Sequence, residues 1–330
     1  MNEALRETVD LFVANKEGVQ KAFKWESEYV YPLCSLMYTS VHAEINIERM
    51  KEAEQLLKSK TGILSEFRGN TRMAMITQMA LAEDMEGYFD VVKSVYEKLN
   101  AKKWFASEYR VVAAMVIAQN EKDESKYDEL VEKTNELLKH MRENHPWLTG
   151  DDDTGFAALL AISGLQTDCV VEEMEKCYQI LKASKKFGSA NGIQSLSHAL
   201  SLEIGNSEEK CNRVIDIHEG LKSKKKKYGQ TYELSTLGGL ALADVEVSEL
   251  VEQIVELDDY LKTQKGFGAL GIGGAQRLMY ASMLVLQQYT SKVKDLEATA
   301  LNGVVTIIIA QEAAMLAAIT TTMLVTTSSN

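Results

Sequence analysis

Six stretches of the chain share one small signature: QLLKSK (55–60), EKLNAKK (97–103), ELLKHM (136–141), QILKAS (179–184), EGLKSK (219–224) and DYLKTQ (259–264). Their leucines, Leu57, Leu99, Leu138, Leu181, Leu221 and Leu261, are separated by 42, 39, 43, 40 and 40 residues. An aromatic follows each leucine, at Phe67, Trp104, Trp147, Phe187, Tyr228 and Phe267, with nearly the same step. A fixed period of this length marks a supersecondary unit that cannot bury its apolar face alone and must stack on copies of itself.

The unit reads as a helical hairpin. About twelve residues after most of the aromatics comes an apolar run, in turn TQMALAED, AAMVIAQN, AALLAISG, SHALSLEI and LGGLALAD. Each suits an inner helix that is apolar around most of its circumference. A charged stretch then leads to the next leucine. VVKSVYEKL puts Val92, Val95, Tyr96 and Leu99 on one helical face, and VEEMEKCYQIL does so with Val171, Met174, Tyr178 and Leu181. Only two prolines, Pro32 and Pro146, interrupt 330 residues, as helix interiors require.

The expected fold is therefore all-α, tandem hairpins of about 40 residues wound into an α/α superhelix, with a closed α/α toroid as the alternative. A single helical-repeat domain is expected over 1–330. Residues 1–24 form an N-terminal helix, and the apolar stretch 298–330 a C-terminal helix that closes the core. From Gly303 to Thr326 the only charge is Glu312, yet Gln311, Glu312 and abundant threonines argue against a membrane span. That apolar helix is instead a surface through which a homodimer could form.

The stretch KGFGALGIGGAQR (265–277) contains Gly266, Gly268 and Gly271 in the order G-x-G-x-x-G. A dinucleotide fingerprint needs a strand before it and a helix after it. Here an amphipathic helix, VEQIVELDDYLKTQ, precedes, so the stretch reads as one more connection from an outer to an inner helix. Lysines at 102–103, 185–186 and 224–227 mark the ends of outer helices, where cations complement the dipole. KSKKKK (222–227) is read in this way, not as a nucleic-acid or phospholipid patch. SKYD (125–128) and Thr149 with Asp152 fit helix-capping patterns.

Formal net charge is -12, a field that repels nucleic acid and anionic lipid. Cys34, Cys169, Cys177 and Cys211 form no C-x-x-C pair and read as reduced thiols of a cytoplasmic protein. The N-terminus lacks the pattern of a secretion signal. In HPWLTGDDDTGF, Asp151, Asp152 and Asp153 stand near His140 and His145. Acids in front of an inner helix are read first as caps, ahead of metal ligation or acid–base work. His198 and His218 read as packed histidines, and His42 has no acid or cysteine partner at ligand spacing. No P-loop, nucleophile elbow or S-x-x-K is present.

At HPWLTGDDDTGFAALLA and GFGALGIGGAQRLMYA the chain resembles an uncharacterised bacterial family of about 330 residues, found mainly in Firmicutes. The resemblance implies a bacterial cytoplasmic protein of one unit, and carries no established activity or catalytic residues. The favoured reading is a non-catalytic interaction or scaffold protein with a protein or peptide partner, and no cofactor, metal or catalytic residue is assigned. Aligned loops before the inner helices would form a composite surface from Arg72, Glu108, Arg110, His145, Asp151, Asp152, Asp153, Tyr232, Glu233 and Arg277. The alternative is an enzyme or small-molecule binder on a toroid, with Glu108, His145, Asp152 and Asp153 as its acid–base groups.

Overall fold

The computed structural model of the protein describes residues 1–101, 104–243, 245–268, 271–294 and 318–327. Every regular element among them is helical, so the fold is all-α. The described residues fall into two compact units. The N-terminal unit lies within Asp10–Gly164 and Thr322–Asn330, the C-terminal unit within Met1–Val9 and Leu165–Thr321. Lys102, Lys103 and residues 298–317 of the expected C-terminal helix lie outside the described residues, while 318–327 are helical.

The N-terminal unit contains α1 (Glu3–Ala22) from Asp10 on, α2 (Val30–Ser40), α3 (Ile47–Lys60), α4 (Arg72–Leu81), α5 (Met85–Asn100), α6 (Glu108–Asn120), α7 (Tyr127–Asn144) and α8 (Thr154–Ile162). Inner and outer helices alternate. α4, α6 and α8 are buried over most of their length, whereas α3 buries only Met50, Ala53 and Leu57. Each outer helix packs on the inner helix that follows it, α3 on α4, α5 on α6 and α7 on α8, while α2 packs on α4 and α6 on α8. Pro32 sits in the first turn of α2, where its missing N–H removes no intrahelical bond. Pro146 lies in the loop after α7.

The C-terminal unit repeats this alternation with α9 (Thr167–Ser184), α10 (Ala190–Leu200), α11 (Ser207–Ser223), α12 (Ser235–Ala241), α13 (Val247–Thr263) and α14 (Gly274–Lys294). Outer helices α9, α11 and α13 pack in sequence, as do inner helices α10, α12 and α14. All six signature leucines are buried, one on each of α3, α5, α7, α9, α11 and α13.

The glycine stretch runs from α13 into α14, helix to helix as the sequence implies. Gly266 adopts a left-handed φ of 84°, a conformation side chains resist. A Cβ on Gly271 would collide with the Gly266 carbonyl.

Arginine and lysine side chains close the C-terminal ends of inner helices. Arg49 on α3 donates to the carbonyls of Ala80 (2.7 Å), Ala82 and Glu83 (3.0 Å) after α4. Arg213 on α11 does the same for Ala241 (2.9 Å), Ala243 (2.7 Å) and Val245 after α12. These carbonyls have no intrahelical donor, and a cation is their best partner.

Three local expectations are corrected. The buried face of α9 contains Val170 and Glu173, not Val171, which is only half-buried. Glu173 meets Lys210 of α11 at 2.7 Å in the interior, and that pairing pulls the charged residue inward. Before α7, Asp123 and not Ser125 is the capping side chain, accepting from the Ser125 N–H at 3.0 Å. Before α8 the capping carboxylate is that of Asp153, which accepts the Gly150 N–H at 2.9 Å, while the Thr149 hydroxyl donates to the Met141 carbonyl.

Candidate functional site

Four successive loop segments of the N-terminal unit lead into inner helices: residues 23–29, 61–71, 104–107 and 145–153. Each is held by polar bonds from beneath. Buried Tyr31 donates its hydroxyl to the carbonyls of Phe23 and Glu26, both at 2.9 Å. Arg110 is buried at the start of α6, where it binds Asn100 (2.5 Å) and the Phe105 carbonyl (2.6 Å).

Bonds between loops set them in register. Arg72 pairs with Glu26 of the preceding loop and with Glu54 at 3.3 Å. Glu108 accepts the Asn70 N–H at 2.6 Å, and Arg110 reaches Asp151 at 2.8 Å. The links join residues 46, 38 and 41 positions apart. Successive loops of this unit therefore lie side by side along one edge.

The side chains on that edge are apolar and uncovered. Trp25 is 97% exposed, Trp104 and Trp147 each 96%, Leu64 95%, and Ile63 and Phe105 each 83%. All three of the chain's tryptophans are here, one on each of three loops. None of the three indoles has a ring or hydrogen-bonding partner among the described residues. Trp25 and Ile63 flank an open cleft of about 670 Å³ that also takes in Arg68, Asn70 and Arg72.

Trp104 and Trp147 stood with the other aromatics as repeat anchors, and the structure separates them. Phe67 is buried, edge-on to Phe89 and Tyr96 with centroids 5.5 and 5.0 Å away. Phe187 packs on His218 at 5.0 Å, and Tyr228 and Phe267 are also buried. The rings at 104 and 147 point outward instead. Arg110 occupies the interior at the first of these loops, and Thr149 at the second.

The other expected surface residues divide between structural roles. Glu108 and Asp151 are held by the bonds just given. Asp153 is buried, and burial together with the charge of Asp152 pushes its carboxyl up to about 7. Asp152, next to it in sequence, and His145, just beyond the end of α7, are half-buried. Tyr232, Glu233 and Arg277 belong to the C-terminal unit. Glu233 accepts from the Thr231 backbone and hydroxyl at 3.1 and 2.5 Å. Arg277 binds Asp258 at 2.7 Å and the Phe267 carbonyl at 2.9 Å. Buried His218 has its pKa held down by burial. Among the described residues no group of three metal-ligating side chains converges.

A family model described as a protein of unknown function, DUF4003, matches residues 15–313. The chain belongs to this family. A relative in Bacillus subtilis (strain 168), the uncharacterized protein YeaA, is 21% identical over 317 residues, covering 93% of this chain and 92% of that one. No solved structure matches the chain. No helix among the described residues is long and apolar enough to cross a membrane.

The exposed row at 25, 63, 64, 104, 105 and 147 is what sequence reasoning missed. The signal available was its position: each tryptophan directly precedes an inner helix, where loops of a hairpin array align.

Proposed function

We infer that this DUF4003 protein is a non-catalytic interaction module that docks a protein partner along the loop edge of its N-terminal unit. The single observation that carries the reading is the row of three uncovered tryptophans on adjoining loops. Four exposed aromatic rings alone present roughly 600–1,000 Å². A monomer's largest apolar patch is about 300–600 Å², whereas a standard interface takes about 800 Å² from each partner. Tryptophan and arginine are also the residues that dominate binding energy at interfaces, and Arg68 and Arg72 line the cleft beside Trp25.

The acid–base reading finds less support. Glu108 and Asp151 each spend a carboxylate oxygen on a structural donor, and Asp153 is shut away against Gly150. The hairpin repeat, its continuation as one array, its superhelical winding and a cytoplasmic location are parts of the same proposal.

Replacing Trp25, Trp104 and Trp147 together by serine should leave the melting temperature unchanged, since water already surrounds all three. A photo-crosslinking amino acid at position 104, in cells, is expected to give one discrete adduct, lost when Trp25 and Trp147 are changed to serine. The same probe at Lys182, in the other unit, should give none. An adduct pattern identical at both positions, or indifferent to the serine changes, rejects this function.

A further inference from the structure

Two sequence motifs that looked unrelated meet in the C-terminal unit. The lysine run after α11 and the first turn of α14 line one open cavity of about 610 Å³. Lys225, Lys226 and Lys227 come from the turn after α11, Lys262 from α13 and Arg277 from α14. Against these five cations stands one carboxylate in the lining, Asp258. Asp259, paired with Lys226 on the rim, is a second, so five minus two leaves three positive charges in a chain whose net charge is -12.

The site has a fixed floor and free walls. Buried Asp258 holds Lys226 at 2.8 Å and Arg277 at 2.7 Å, and Lys226 also reaches Asp259 on the rim. Lys225, Lys227 and Lys262 have no carboxylate partner among the described residues. Three helices thus bring cations to one hollow, beyond what capping α11 requires. Such a concentration of one sign in a concave site focuses the local potential and draws anions in, even where the whole-chain field is negative.

We propose that this cavity binds a small molecule carrying two phosphate groups. A phosphate carries about -1.5 to -2 at neutral pH, so two of them, about -3 to -4, cover the surplus of three, while one leaves a third or more of it uncompensated. The volume points the same way, because small-molecule sites span about 300–1,000 Å³, well beyond a lone phosphate. Lys225, Lys227 and Lys262 supply mobile point charges for phosphoryl oxygens, while Arg277, its fork engaged by Asp258, keeps a positive charge at the floor. This site is independent of the tryptophan edge.

The test is isothermal titration of the full chain with inorganic pyrophosphate, with orthophosphate and a nucleoside diphosphate as separate arms. Saturable one-to-one binding of pyrophosphate is expected, with orthophosphate weaker by roughly tenfold or more. A tighter nucleoside diphosphate identifies a nucleotide as the source of the phosphates, and equal or weaker binding identifies the pyrophosphate group itself. Lys227→Glu with Lys262→Glu should abolish binding without changing the melting curve, both side chains being exposed. Lys21→Glu with Lys51→Glu, an equal change of net charge in the other unit, should leave it intact. Pyrophosphate should also slow hydrogen exchange at 225–230 and 274–278. Absence of saturable binding, equal loss in both double variants, or tighter binding of a single-stranded oligonucleotide overturns the proposal.

Discussion

Glu173→Ala should be among the most damaging single changes available in the C-terminal unit. Glu173 and Lys210 are 3% and 4% exposed, and their charged atoms lie 2.7 Å apart. The carboxylate also accepts from the Ser207 hydroxyl at 2.7 Å and the Gly205 N–H at 3.2 Å. The Lys210 ammonium donates to the carbonyls of Leu200, at 2.8 Å, and Glu203. Truncating Glu173 leaves an ammonium without a counter-charge in the interior, which costs about 3–5 kcal/mol. The orphaned Gly205 N–H adds about 1 kcal/mol or more. Domains are stable by only about 5–15 kcal/mol. Replacing both residues by methionine removes the stranded charge and, beyond what Glu173→Ala already loses, gives up only the two carbonyl partners, so the double variant should be more stable than Glu173→Ala by about 2 kcal/mol. Urea denaturation at pH 7, followed by circular dichroism, measures both. Burial raises the Glu173 carboxyl, but its bonds to Lys210 and Ser207 outweigh this and leave it below the usual range. The pair's contribution is therefore full above the unfolded value near 4.5 and is lost as pH falls through the lower folded value. A cost below about 1 kcal/mol for Glu173→Ala, or a double variant as unstable as the sum of its singles, would refute the reasoning.

Asp153→Asn keeps an acceptor for Gly150 and removes a carboxyl pushed up to about 7 from 3.8. The wild type should lose stability as pH rises from 4 to 7, by up to about 4 kcal/mol; the variant should stay flat and be the more stable at pH 8 in urea titrations. Arg213→Met should cost about 1–2 kcal/mol, because three carbonyls lose a cationic donor at a half-buried site where water can partly replace it; thermal melts will read it. Lys225 holds a φ of 61° in the turn that closes α11, where its N–H bonds the Lys222 carbonyl at 2.9 Å and the Lys226 N–H bonds Leu221 at 3.0 Å. Glycine favours that left-handed position, so Lys225→Gly should raise stability by about 0.5–1 kcal/mol while weakening pyrophosphate binding.

The fold class was legible because it follows from local rules. Two prolines in 330 residues and a 3.6-residue apolar period leave little besides helices, and α5 buries Val92, Val95, Tyr96 and Leu99 as its spacing requires. The register of α9 was not legible. Val170 and Val171 are adjacent, and the choice between them rests on Lys210, which lies far along the chain and makes Glu173 an inward-facing residue. The caps moved by a residue or two for a similar reason: Asp123 and Asp153 compete with Ser125 and Thr149, and Thr149 already has another acceptor. The near-regular spacing of the aromatics hid a difference in direction. Phe67 has Phe89 and Tyr96 waiting beneath it, whereas the space under Trp104 holds a buried arginine.

That difference in direction is the strongest argument that the edge is functional. The hairpin architecture does not force aromatic rings into water, because in the C-terminal unit the loops carrying Phe187, Tyr228 and Phe267 bury theirs. Exposure at Trp25, Trp104 and Trp147 is thus a property of particular loops, and it carries a cost. Each exposed ring forgoes the stabilisation that burial would give, about 25 cal/mol per Å² over roughly 200 Å². A binding surface explains why that stabilisation is held back in the free protein, since the same area becomes the source of affinity once a partner covers it. The explanation is testable in light emission alone. With all three tryptophans on one edge, the intrinsic fluorescence of the free chain should be that of water-exposed indole, readily quenched by acrylamide. A blue-shifted, protected spectrum from the isolated monomer would mean that the rings are already covered, and the docking edge would have to be abandoned.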